Sequence, residues 1–397
     1  SAVVLYNAER RIVMKSDLNS LLKASNASDT NSGLCRDFIL MNKDNELAKF
    51  TVIEEDGFEA IIIKEELIDL PIWLQPLDGF IRGRKAPKSR ENIERLLEES
   101  GCNTLLGYLN ITHALSLIDT FWVKQKDSKL TWRDVSLYDK QFNEVIAKTA
   151  FEGGLHSGQL STTSPEYGTD GTFAKCWVRE YDQIKLLKKG TTGFLNAGLE
   201  PYSEYYASQL AKELGLNHIE YTLRNYNGKL CSSCNIFTSE DQGYLPYAAV
   251  ERINSTLDSV IFMYSKYGYR DFALDMFVFD ALIYNCDRHK GNFGFLVDND
   301  TQKIIKPAPL FDHNLSLICY ALEDDFDKEE YIEQLKPRIG SSFIKDAKRC
   351  LTSNMRRKLI NIKGFKFQKH PKYNLPDWRL EVLEKLINNQ IDLILQK

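Results

Sequence analysis

Asp287 and Asn292, five positions apart, follow a strongly apolar segment at 272–284, and Asp312 comes after two strand-like runs, 293–297 and 303–306. Asp298, Asn299 and Asp300 between those runs are turn-forming residues, so the chain goes out and returns. A hairpin of that kind brings Asp312 back towards Asp287 and Asn292, gathering two carboxylates and an amide at the end of a buried helix. Carboxylates so gathered require a cation. Oxygen ligands without cysteine or paired histidine suit Mg2+, which takes one or two carboxylates and completes its octahedron with water and phosphate oxygens. Upstream, residues 151–172 interleave Gly153, Gly154, Gly158, Gly168 and Gly171 with Ser157, Ser161, Thr162, Thr163, Ser164, Thr169 and Thr172. Such a stretch is either a flexible connection or a loop whose backbone amides approach phosphates. Magnesium beside a loop of this kind implies a nucleotide.

Phosphoryl transfer of the protein-kinase type uses this order of groups. The first Asp acts as base, the Asn and second Asp hold metal, and a strand lysine, held by a glutamate of the next helix, neutralises the α and β phosphates. That helix is expected over residues 201–215, opened by Pro201 and closed near Gly215. Glu204 shares its apolar face with Ala207, Leu210, Ala211 and Leu214, and an inward-facing acid needs a partner. Strands expected at 173–178 and 184–188 offer two lysines, Lys175 and Lys188. Lys188 is preferred because it ends the last strand before the helix, in alternation with Ile184 and Leu186. Lys175 then lies on the strand after the Gly/Ser/Thr loop, facing nucleotide or solvent. Further strands are expected at 218–223 and 230–237, followed by a mostly helical remainder.

Residues from about 155 to 350 resemble the HipA-like serine/threonine kinases. The resemblance is carried by the stretch 203–216, by Asp287-Arg288-His289 with Asn292-Phe293, and by Ala308-Pro309-Leu310-Phe311-Asp312. It implies an α+β, bilobal protein-kinase-like fold, with a small sheet-rich N-lobe and a mostly helical C-lobe behind an extra amino-terminal α/β region. It also implies ATP and Mg2+ as cofactors and transfer to a serine or threonine of a protein. Carried over residue by residue, Asp287, Lys188 and Glu204 are catalytic, and Asn292 and Asp312 hold the metal. Ser161, Thr162, Thr163 and Ser164 cover the phosphates, where they could also accept phosphate in cis. Lys175 lies on the nucleotide side, and Asn235 and Phe237 belong to the hinge against adenine. His289 reads as a brace for the loop backbone or a further contact on the nucleotide side. Some members of the family are toxins paired with a DNA-binding antitoxin, which implies a partner of that kind or another regulator. His313 and Asn314 stand where ordinary kinases have Phe-Gly, so no activation-segment switch is expected.

The expected organisation is an accessory domain at 1–125, a kinase N-lobe at 126–238 and a helical C-lobe at 239–397. With 397 residues, 43% hydrophobic and 27% charged, the chain can fill one large core or two moderate ones, which excludes disordered and fibrous classes. A net charge of −4 argues against a nucleic-acid backbone as the main partner. No apolar run has the length of a bilayer span and the first residues carry no secretory pattern, so a soluble cytoplasmic protein is expected. The eight irregularly spaced cysteines fit reduced thiols, and Cys231 with Cys234 lacks the other half of a zinc set and reads as structural. The basic run 82–90, with Arg82, Arg84, Lys85, Lys88 and Arg90, reads first as a solvated loop and second as a patch for an acidic or phosphorylated partner. The same residues also suit a small-molecule phosphotransferase or a non-catalytic nucleotide-binding interaction protein.

Overall fold

The computed structural model describes residues 34–154, 156–326 and 328–396. An alternating apolar segment of the sequence, residues 2–6, lies outside them. Four strands, β1 (Leu34–Asn42), β2 (Asn45–Glu55), β3 (Phe58–Glu66) and β4 (Phe121–Gln125), form an antiparallel sheet in the order β3-β2-β1-β4. Side-chain alternation collects Phe38, Leu40, Phe50 and Val52 on one face. That face is covered by α1 (Leu77–Arg82), α2 (Ile93–Ser100) and α3 (Leu105–Thr112), with Ile93, Leu96 and Leu97 forming the buried stripe of α2. The same core takes Ile146 and Ala150 from α4 (Glu144–Glu152), together with Tyr167. The accessory region is therefore knitted to residues well beyond 125.

A second antiparallel sheet follows, built from β5 (Lys175–Glu180), β6 (Gln183–Lys189), β7 (Thr222–Tyr226) and β8 (Lys229–Asn235) in the order β5-β6-β8-β7. Helix α5 (Glu200–Glu213) leans on β6, β7 and β8. A third sheet, of β9 (Gln242–Pro246), β10 (Gly294–Asp298) and β11 (Ile304–Pro307) in the order β11-β10-β9, heads the helical body. That body comprises α6 (Leu257–Lys266), α7 (Arg270–Leu282), α8 (Phe343–Cys350), α9 (Ser353–Asn361) and α10 (Asp377–Leu395). Its core joins Phe279 and Leu282 of α7 and Ile391 of α10 to Tyr206 and Leu210 of α5, so the helix that carries Glu204 is rooted in the helical body. Among the described residues no helix is long and apolar enough to cross a membrane. All eight cysteines are free, and Cys231 contributes to a small core between α4 and the second sheet.

Three expectations need correction. Strand β7 begins at Thr222, because the chain at His218 pairs with Leu310 instead of with the sheet. Strand β9 falls within the remainder read as mostly helical; Gly243 and Pro246 weaken its strand signal, and pairing with β10 supplies what local propensity does not. The basic run 82–90 is not a solvated loop at all of its positions. Arg84 and Arg90 are only 6% and 2% exposed. Arg84 makes a two-pronged pair with Asp119 at 2.8 and 2.9 Å and also donates to Phe121 O at 2.9 Å.

One buried acid of α7 gives a pH-dependent prediction. Asp275 Oδ1 is buried without a hydrogen-bond partner, and burial raises the carboxyl pKa to about 6, with Lys358 offsetting only part of the effect. A carboxyl whose folded pKa exceeds the unfolded value of about 3.9 destabilises the fold progressively as pH rises between the two. Asp275→Asn should leave the thermal midpoint at pH 4 nearly unchanged and raise it at pH 7.5 by about 2–4 °C, a shift kept small by partial exposure. Equal shifts at both pH values would contradict this assignment.

Candidate active site

Ile184, Leu186 and Lys188 share one face of β6, and Lys189 on the other face pairs with Glu91 at 3.0 Å. Lys188 Nζ lies 2.5 Å from Glu204 Oε1 and 2.7 Å from Asp312 Oδ1. It is therefore Lys188, of the two candidate lysines, that meets the inward acid of α5. The second oxygen of Glu204 accepts from Ser232 Oγ, the residue paired with Lys188 across β6 and β8. Tyr221 lies alongside, with its ring 5.8 Å from Lys188 Nζ and its hydroxyl accepting from Asp312 N at 3.1 Å. Burial opposes the charge on Lys188, but Asp312 and Glu204 outweigh it and hold the ammonium well above its ordinary pKa. Burial likewise opposes ionisation of Asp312, yet Lys188 and Lys175 keep that carboxyl well below the usual range.

The loop that carries Asp287 and Asn292 is set by the end of α7. Tyr284 adopts a left-handed φ of 50°, and Asn285 N returns to Asp280 O at 2.9 Å, turning the chain out of the helix. Asn285 Oδ1 then accepts from Asp287 N at 3.1 Å, His289 N donates to Asp287 O at 2.7 Å, and Asn292 Nδ2 donates to the same oxygen at 3.2 Å. Under this loop lies Arg288, a fully buried guanidinium that the sequence reading gave no role. It pairs with Asp280 through Nε and Nη2 at 3.0 and 2.9 Å, and its Nη1 donates to Asn292 O at 2.9 Å and to Phe311 O at 2.7 Å. One side chain thus ties the Asp287–Asn292 loop to the residue before Asp312. The remaining contact, to His313 Nδ1 at 3.2 Å, meets an imidazole that burial, with Arg288 beside it, holds in the neutral form. The sequence signal for Arg288 was its spacing of eight from Asp280, one of the two acids in the apolar segment 272–284.

The hydroxyls expected to cover the phosphates are engaged within their own surroundings. Ser161 Oγ donates to Ser100 O at 2.7 Å, and buried Ser164 donates to Glu166. Thr162 and Thr163 lie between them in a segment drawn to the accessory core by Leu160 and Tyr167, whose hydroxyl donates to Leu160 O at 2.7 Å. The stretch that borders Lys175 is 168–172. Lys175 Nζ donates to Asp170 O at 2.8 Å, and a Cβ on Gly171, whose φ is +95°, would stand 2.2 Å from that nitrogen. Gly168 and Gly171 before Lys175 were the signal for this. Lys175 opposes Lys188 in the β5–β6 register, and burial together with the Lys188 charge lowers its pKa to about 8. His289 is a local brace, its Nδ1 accepting from Gly291 N at 3.0 Å. Asn235 is exposed at the end of β8, Ile236 N is taken by Ile184 O at 2.9 Å, and Phe237 packs on Phe311 and Tyr244.

Asp312 and Asn292 fit a hard cation. The NH2 of Asn292 is engaged by Asp287 O, so the end of the amide left over is its acceptor oxygen. Among the described residues no group of three or more His, Cys, Asp or Glu could by itself hold a metal. A cation here would need oxygen atoms from a ligand, as Mg2+ on polyphosphates does.

No family model matches the chain. The serine/threonine-protein kinase CtkA of Helicobacter pylori is 28% identical to it over 166 residues, which is 36% of this chain and 50% of that protein. The chain thus spans about half the length of this curated relative. A crystal structure of CtkA superposes with a TM-score of 0.44 at 18% identity, covering 56% of this chain and 92% of that one. A chain of the Shewanella oneidensis MR-1 toxin–antitoxin complex of HipA, HipB and operator DNA superposes with a TM-score of 0.51 at 12% identity, over 89% of this chain and 96% of that one. The chain is thus distantly similar in sequence to CtkA over part of its length, and its mixed α/β fold of small sheets and helices resembles the HipA-complex structure in topology.

The Arg288 arrangement predicts a large loss of stability when its partner is removed. Asp280→Ala strands a buried guanidinium and should lower unfolding stability in urea by about 3–5 kcal/mol. A change below about 1 kcal/mol would mean that the pair does not fasten the loop.

Proposed function

We propose that the chain transfers the γ-phosphoryl group of ATP to a serine or threonine hydroxyl of a protein. The observation that carries this reading is the double attachment of Lys188, to Glu204 on one side and to Asp312 on the other, with Arg288 linking the Asp287 loop to the same point. That is the set of groups phosphoryl transfer needs, since catalysis there is positioning and charge neutralisation with little covalent work by the protein. Asp312 and the amide oxygen of Asn292 would hold Mg2+, which when bound offsets charge on the phosphate oxygens. Lys188, kept cationic, binds the same polyphosphate, and Glu204 with Ser232 fixes the direction of its ammonium. Lys175 adds a second positive group beneath residues 168–172.

Asp287 is half-buried, and its carboxyl pKa is raised by burial, an effect His289 opposes and Asp312 reinforces. A carboxylate so perturbed orients the acceptor hydroxyl and receives its proton more readily than one in water. The choice of a protein acceptor is supported by the likeness to CtkA, a serine/threonine-protein kinase. The HipA fold likeness comes from a complex with HipB and operator DNA, so a protein regulator is the kind of partner proposed here. The net charge of −4 points away from direct contact of this chain with nucleic acid.

Transfer from labelled ATP to proteins of a cell extract tests the reading. Asp287→Ala should lower transfer by about 100-fold or more while ATP binding persists. Asp312→Ala should weaken the Mg2+-dependent binding itself. Transfer by Asp287→Ala at the intact protein's rate would sink the proposal. The lowered pKa of Lys175 gives a second test. Its charge fades as pH rises through about 8, so ATP affinity should fall between pH 7 and pH 9, and Lys175→Met should flatten that dependence. A slope unchanged by the substitution would remove Lys175 from the site.

A further inference from the structure

Arg90 belongs to the accessory region, yet its guanidinium lies 2% exposed against the stretch that borders the candidate nucleotide site. Its Nη1 donates to Glu166 O at 2.6 Å and to Thr169 O at 3.0 Å, while Nε and Nη2 are buried with no hydrogen-bond partner. A buried guanidinium with two unmatched donors is expensive, and an apolar side chain would fill the space more cheaply. The contact it makes is therefore the feature to explain, and that contact goes only to backbone oxygens of one loop.

Other ties gather on the same stretch. Ala86 N donates to Tyr167 O at 2.7 Å, and Glu91 N donates to Thr172 O at 2.9 Å. Gly168 sits so close that an added Cβ would stand 2.7 Å from Leu115 O and 3.3 Å from Arg84 O. On its other side the stretch meets Lys175 through Asp170 O, and Lys175 in turn faces Lys188. Residues 166–172 are thus gripped from the accessory region on one flank and border Lys175, the strand partner of Lys188, on the other.

We propose that Arg90 is a positioning residue of the nucleotide site: it holds residues 166–172 in place from the accessory side, so that ATP affinity depends on residues 34–125. The inference rests on the nucleotide-binding reading given above. A loop already fixed in its binding geometry loses less freedom when ligand arrives, and that saving appears as affinity. Burial lowers the pKa of Arg90 only to about 10, so the side chain is charged at neutral pH and both carbonyl bonds are charge-assisted.

Binding of a fluorescent N-methylanthraniloyl-ATP with Mg2+ to the full chain tests this, with thermal midpoints measured in parallel. Arg90→Ala should raise Kd about tenfold or more, while transfer at saturating ATP stays within about threefold of the intact protein. Arg90→Lys, which keeps the charge and can reach one carbonyl, should recover part of the affinity. A folded Arg90→Ala protein with unchanged Kd, whether or not its thermal midpoint falls, overturns the proposal. If it binds normally while Asp312→Ala does not, the nucleotide reading stands and only the role of Arg90 is lost. If the intact chain shows no Mg2+-dependent binding, both fall together. Should Arg90→Ala fail to fold, amide exchange of the intact chain decides. ATP with Mg2+ should slow exchange at 86–92 as well as at 166–175, and protection confined to 166–175 overturns the coupling.

Discussion

One ammonium group, Lys188 Nζ, stands between carboxylates from two parts of the fold, Glu204 on a helix rooted in the helical body and Asp312 at the return of a hairpin. Its surroundings are almost dry, with the Lys188 and Glu204 side chains 9% and 1% exposed. In such a medium each charge alone would be driven to neutrality, and together they persist only if held in fixed positions. The rest of the architecture meets that condition. Strand alternation aims Lys188, Ser232 orients Glu204 from the neighbouring strand, and Tyr221 steadies the backbone at Asp312. Arg288 then fastens the Asp287 loop to the same locus, so that separate segments of chain share a common frame.

The accessory region enters this frame more deeply than its position in the sequence suggests. Its core includes Tyr167, just before the stretch that touches Lys175, and its strand β1 reaches the far lobe through Asn42, whose amide donates to Asn299 O at 2.6 Å. A region built into the protein in this way acts as part of the framework around the candidate site. The distant likeness to a chain of the HipA complex extends over 89% of the residues, which includes much of this region, and so concerns more than the two lobes.

Much of the site could be read from residue types and spacing. Asp287, Asn292 and Asp312 were legible because turn residues between two short apolar runs dictate a return of the chain, which β10 and β11 supply. Glu204 was legible because an acid in an apolar stripe demands a cation, and the end of β6 was the place for it. Arg84, Arg90 and Arg288 were not legible as buried groups, since a guanidinium in sequence looks solvated until its carbonyl and carboxylate partners are known. The stretch beside Lys175 was not singled out for a related reason. Hydroxyl content drew attention to 161–164, whereas the contact of Asp170 O with Lys175 is a tertiary feature that residue types do not announce. Strand β9 escaped notice because its pairing with β10 overrides a weak local preference.

The cross-strand pair of Lys175 and Lys188 has a further meaning. Like charges opposite one another weaken an antiparallel sheet, and here Asp312 answers mainly one of them while Lys175 finds a backbone carbonyl. The second sheet is in this sense electrostatically frustrated where these strands meet. Any polyanion that settles there relieves the repulsion between the strands, so occupancy and cohesion of the sheet are thermodynamically linked, and ligand concentration becomes a determinant of how firmly that sheet is closed.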